Sequence, residues 1–161
     1  KGSTCLPILV TWRQPSYPGS RQGWYLSGPG DVIVKMSKSL GNLVRVQALR
    51  EQGVDPALIR LGLFAGHYRV DRSWSDELLE RAHARYGLWC RAIARGVGAD
   101  AAPAIAELRE RLADDLDTPG ALAVIDAWAS ATLDGDDSDP SAGAAIATAL
   151  DALLGIPTIS A

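Results

Sequence analysis

The residues of this chain best suited to chemistry stand in one run, Lys35-Met36-Ser37-Lys38-Ser39-Leu40-Gly41-Asn42. Two lysines and two serines occupy a short loop closed by a Gly-Asn pair. A lysine ammonium is a compact point charge suited to phosphate. Serine hydroxyls add donors, and a glycine lets the backbone approach an anion closely. The composition describes an anion-binding loop, and a solvated basic turn is the blander explanation of the same residues.

Elsewhere such side chains are sparse. Arg60 stands alone among Leu58, Ile59, Leu61 and Leu63; it must snorkel or pair with an acid. His67, in Gly66-His67-Tyr68-Arg69, ends that apolar stretch. A helix C-terminus favours a cation there, so a structural role is the default. Asp114-Asp115-Leu116-Asp117-Thr118-Pro119 places acids just ahead of a helix start and reads first as capping. A metal site is the sharper reading, but no His or Cys lies nearby in the sequence and the spacing is not that of a calcium loop. Cys5 and Cys90 form neither C-x-x-C nor a disulfide framework, a pattern that fits a reducing, cytoplasmic setting, and Cys90 reads as inert.

The elements that must position these residues are mostly helices. Residues 1–34 are broken by Pro15, Pro18, Gly19, Gly23, Gly28, Pro29 and Gly30 and read as irregular, disordered or out of frame. Within them only Asp31–Val34 resembles a strand, feeding the lysine loop. Val46–Gln52 predicts a short helix stopped by Gly53. Asp55-Pro56 is a strong start signal for an apolar helix ending near Gly66. Ser75 caps the next, which runs to about Ala94 with Asp76 and Glu77 at its positive end and Trp74 placed for a staple with Leu79. Further helices are expected from Pro103, from Thr118-Pro119 and from Ser141, the last stopped by Gly155 and Pro157. Trp74 and Trp89 are expected in the core. The expected organisation is an irregular 1–34, a loop and contact helices over 35–72, and a helical bundle over 73–161.

The 161 residues amount to one ordinary domain, or a small domain with an appendage, and no apolar run approaches the roughly 18 residues of a membrane span. The net charge of −3 is asymmetric. Residues 1–95 hold 14 Lys and Arg against 7 Asp and Glu; residues 96–161 hold 2 against 12. An anionic ligand should therefore meet the first part, and the acidic remainder is unsuited to nucleic acid.

The eight-residue run resembles the KMSKS signature of class I aminoacyl-tRNA synthetases and matches it at all five signature positions, Lys35 to Ser39. Asp55-Pro56 through Arg60 resembles the D-P-x-x-[IL]-R block of the cysteinyl-tRNA synthetase group. Gly66–Arg69 and Asp114–Pro119 resemble its HYR and D-D-x-[ND]-T-P segments. Over residues 35 to about 156 the chain is most similar to the mycothiol-pathway cysteine ligases of that superfamily.

The resemblance implies a mainly α chain: a KMSKS loop followed by a helical bundle, the C-terminal part of a synthetase-like α/β enzyme. It implies that Lys38 and Lys35 clamp the triphosphate of ATP, with Met36, Ser37 and Ser39 in the same loop and Mg2+ accompanying the nucleotide. L-cysteine would be activated as its adenylate and passed to the amine of glucosaminyl-inositol. The family's HIGH motif, Rossmann core and zinc ligands are not in this sequence, so the chain is expected to be inactive alone. A monomeric full-length enzyme that binds neither tRNA nor membrane is expected. Truncated cysteinyl-tRNA synthetase and a non-catalytic helical interaction module stay open as alternatives.

Overall fold

A computed structural model describes residues 24–27, 33–36 and 43–158. The chain divides into two compact units, one comprising 1–55 and 69–75 and the other 56–68 and 76–161.

In the first unit three short strands form a sheet in the order β2-β1-β3. Strand β1 (Trp24–Ser27) pairs antiparallel with β2 (Ile33–Lys35), Tyr25 opposite Lys35 and Ser27 opposite Ile33. It pairs in parallel with β3 (Arg72–Trp74), Trp24 opposite Arg72 and Leu26 opposite Trp74. The strand expected over Asp31–Val34 thus runs through Lys35. Strand β1 corrects the reading of its segment as irregular, and β3 is a strand that the reading of 35–72 and 73–161 as loop and helices did not include. Each is only three or four residues long, too short for period-2 alternation to show, and each is held by partners distant in sequence. Helix α1 (Val46–Glu51) follows, with Gly53 at φ +84° ending it as its sequence position predicts.

The second unit is the helical bundle. Helix α2 (Pro56–Phe64) begins at the proline, whose missing N–H costs nothing in the first turn. Helix α3 (Asp76–Ala94) carries Asp76 and Glu77 in its first turn, where the dipole favours anions. Helix α4 (Ala101–Ala113) starts two residues before the expected Pro103, because the Asp100 side chain accepts from the Ala102 N–H and caps it there. Helix α5 (Thr118–Leu133) is capped by Asp117, whose Oδ1 accepts from the Gly120 N–H at 3.0 Å. Helix α6 (Ala142–Ala149) runs into a π-helical turn, Leu150–Leu154, which ends at Gly155 in the left-handed region.

Helix α3 packs on α2, α5 and α6, and α4 on α5 and α6. The core between them holds Leu61, Trp89, Leu108, Leu122, Ile125, Ile146 and Leu150, all fully buried. Full burial of side chains this size contributes about 1.5–3 kcal/mol each. Trp89 and Trp74 are buried as expected. At the α3–α6 crossing, Gly143 lets two backbones meet. Its N–H donates to the Gly96 carbonyl at 3.0 Å, and a Cβ there would lie 2.5 Å from the Ile93 carbonyl oxygen. The stretch Asp134–Pro140 is exposed except at half-buried Asp139, whose backbone bridges to Gly98. Among the described residues no helix is long and apolar enough to cross a membrane.

Candidate functional site

Strand β2 leads into the lysine run. The register with β1 places Lys35 opposite Tyr25 at the end of β2, and Met36 follows half-buried. Ser37, Lys38 and Ser39 lie outside the described residues. The same sheet carries Arg72 in β3; burial lowers its guanidinium pKa below the ordinary arginine value.

In the bundle, Arg60 is exposed, as a snorkelling side chain is, and its hydrogen-bond partners among the described residues are carbonyls, not an acid. It donates to the carbonyls of Leu154 (3.4 Å) and Gly155. These are end carbonyls of the last helical turn, where a cation also meets the negative end of the dipole. Gly155 sits at φ +60°, a conformation that costs an L side chain about 1–2 kcal/mol.

His67 and Tyr68 meet the turn between α4 and α5. The Tyr68 hydroxyl donates to Asp115 Oδ1 at 2.6 Å, and His67 Nε2 donates to the Asp115 carbonyl at 2.9 Å. The two rings are tilted against each other with centroids 4.7 Å apart. Asp115 and Leu116 both have positive φ, +50° and +56°. Two successive non-glycine residues in this region are strained, and such strain persists only where surrounding contacts hold it. The acidic run therefore divides its work: Asp117 caps α5, while Asp115 anchors the segment after α2. Among the described residues no three His, Cys, Asp or Glu side chains gather as metal ligands.

One constellation escaped the sequence reading. Asp126 of α5 receives a fork from Arg85 of α3: Nε lies 3.0 Å from both carboxylate oxygens and NH2 2.9 Å from Oδ2. The indole N–H of fully buried Trp89 donates to Asp126 Oδ1 at 2.8 Å. A signal was present. Asp126 is the only charged residue in α5, and Arg60 the only one in α2. A single charge on an otherwise apolar helix needs a partner from another element.

No protein-family model matches the chain. Curated proteins do. The L-cysteine:1D-myo-inositol 2-amino-2-deoxy-alpha-D-glucopyranoside ligase of Tsukamurella paurometabola is 57% identical over 122 residues, 76% of this chain and 30% of the ligase. The ligase of the same name from Nocardia farcinica is 58% identical over 122 residues, with the same shares. That from Geodermatophilus obscurus is 55% identical over 124 residues, 76% of this chain and 29% of the ligase. The chain spans about 30% of the length of the curated relatives it matches. Over three quarters of its length, then, this chain matches the C-terminal portion of the cysteine–glucosaminyl-inositol ligases of mycothiol biosynthesis.

Proposed function

We propose that this chain provides the C-terminal part of an ATP-dependent ligase that joins L-cysteine to the amine of glucosaminyl-inositol. The observation that carries the reading is the 57% identity over 122 residues with a ligase named for that reaction. In the proposed mechanism the cysteine carboxylate attacks the α-phosphorus of Mg2+-bound ATP and pyrophosphate leaves. The amine then attacks the carbonyl of the cysteinyl-adenylate and AMP leaves. Lys35 and Lys38 place positive charge against the triphosphate as negative charge shifts to the departing pyrophosphate, while Ser37 and Ser39 add hydroxyl donors. Fixed charge of this kind is most of what phosphoryl-group chemistry asks of a protein. The strand pairing that puts the backbone of Lys35 at the end of β2, where the loop begins, supports the reading.

The test is a chimera in which residues 35–156 replace the matching segment of the Tsukamurella paurometabola ligase. Cysteine-dependent ATP–pyrophosphate exchange and ligation to glucosaminyl-inositol are measured in parallel. Both activities should survive, and Lys38→Ala should lower exchange by about 10²–10³-fold, the usual effect of removing one transition-state donor. A folded but inactive chimera, or full exchange in Lys38→Ala, refutes the proposal. Charging of tRNA in place of glucosaminyl-inositol would make the chain part of a tRNA enzyme.

A further inference from the structure

The bundle unit carries 7 Arg against 15 Asp and Glu over residues 56–68 and 76–161, a balance of −8. Three of those seven arginines line one groove of about 560 Å³ that opens between α2 and α3. Its apolar lining is half-buried Leu88 with exposed Ala65 and Ala84, over buried Leu61 and Leu78. Arg81 and Arg91 are exposed, and Arg85 sits between them in its fork on Asp126, the only carboxylate among the groove's lining residues. A basic, apolar-lined groove on an acidic unit is a local reversal of sign, and a concave apolar wall strengthens the field it presents.

We infer that this groove is a docking site for an acidic amphipathic helix of a partner protein. The inference goes beyond the ligase reading and does not depend on it. The occupant follows from three features. Arg81 and Arg91 stand ten residues apart on one helix, which spans about 15 Å at 1.5 Å per residue. A free phosphate or a small carboxylic acid cannot reach both, whereas carboxylates two to three turns apart on a helix can. A guanidinium fork fits a carboxylate bidentately. The apolar lining takes an i, i+4, i+7 apolar stripe, the way helix-in-groove recognition works. A nucleic-acid strand has no apolar stripe to offer the groove.

The experiment uses the full chain as bait for a displayed library of 15-residue helical peptides. Leucine is fixed at four positions of one stripe and the flanking positions are randomised. Selection should enrich Asp and Glu beside the stripe, and binding of the enriched peptides should weaken steeply with salt. The double variant Arg81→Glu/Arg91→Glu should lose at least tenfold in affinity for them. Both side chains are exposed, so its circular dichroism and melting should match the parent. A well-folded variant that retains the affinity overturns the inference, as does enrichment of neutral or basic sequences or no enrichment at all. Full competition by a single-stranded 20-nucleotide RNA at equal concentration would reassign the groove to polyanions and also overturn it.

Discussion

Replacing Asp126 by alanine should destabilise the bundle by about 1–4 kcal/mol, and the figure can be built from its partners. The Trp89 indole is fully buried, and its N–H has Asp126 Oδ1 as acceptor at 2.8 Å. Alanine strands that donor away from water, a penalty of about 1–3 kcal/mol. The Arg85–Asp126 pair adds less. Its side chains are 28% and 30% exposed, so solvent screens the pair and its loss costs about 0.2–1 kcal/mol. The larger share therefore belongs to the hydrogen bond and the smaller to the charge.

The division is testable by urea unfolding followed by far-UV circular dichroism, with an unchanged slope against denaturant as the condition for comparing variants. Asp126→Asn keeps an oxygen for the indole and gives up the charge, so it should cost about 1 kcal/mol or less. Arg85→Ala should cost about the same. Asp126→Ala made in a Trp89→Phe background should lose most of its effect, because no donor is left to strand. The reasoning fails if Asp126→Ala lies within about 0.5 kcal/mol of the parent, or if Asn and Ala cost the same.

Three further outcomes follow from the same structure. Leu116, 56% exposed at φ +56°, gives up little packing when truncated; Leu116→Gly should raise the melting temperature, with a net gain of up to about 1 kcal/mol, and β-branched Leu116→Val should lower it. Gly143→Ala should cost about 1–3 kcal/mol in chemical denaturation although alanine is the better helix former, because its Cβ would press on the Ile93 carbonyl. Asp139 accepts from the Ser141 N–H and hydroxyl and from the Ala101 N–H, which holds its pKa below the ordinary carboxylate value. A carboxylate depressed in the folded state stabilises above its unfolded pKa, about 4, and that contribution disappears as pH falls through the folded value. The gap in melting temperature between the parent and Asp139→Asn should accordingly be widest near neutral pH and close in acid.

Local signals carried the helices. Pro56, Ser75, Thr118-Pro119 and Ser141 mark helix starts where the structure has them, and Gly53 and Gly155 sit in the left-handed conformations that end helices. In each case the determining physics lies within one turn of the residue: a missing N–H, a capping oxygen, an absent Cβ. The miss at α4 has the same character. Asp100 competes with Pro103 for the start, and the side chain that reaches an orphan N–H decides it. The sheet was less legible, because β1 and β3 lie nearly fifty residues apart and depend on each other for pairing. Of the candidate site, the lysine loop was read as an anion-binding loop from its residue types alone. Lys35 is the member whose backbone register is fixed, and Ser37, Lys38 and Ser39 lie outside the described residues.

What periodicity cannot name is the partner. Helical spacing identifies the face of α5 that turns inward, but not that Asp126 on it meets Arg85 and Trp89, 41 and 37 residues away. The same holds for Tyr68 and Asp115, 47 residues apart. Asp115 shows why such pairs deserve weight. Its backbone is strained, and strain on that scale would relax in a free turn. The hydroxyl of Tyr68 and the imidazole of His67 are among the contacts that hold it, one on the carboxylate and one on the carbonyl. An acidic run ahead of a helix is therefore not a single capping device here. One aspartate serves its own helix, and another ties down a segment 47 residues upstream, with conformational strain at Asp115 and Leu116 accompanying the second role.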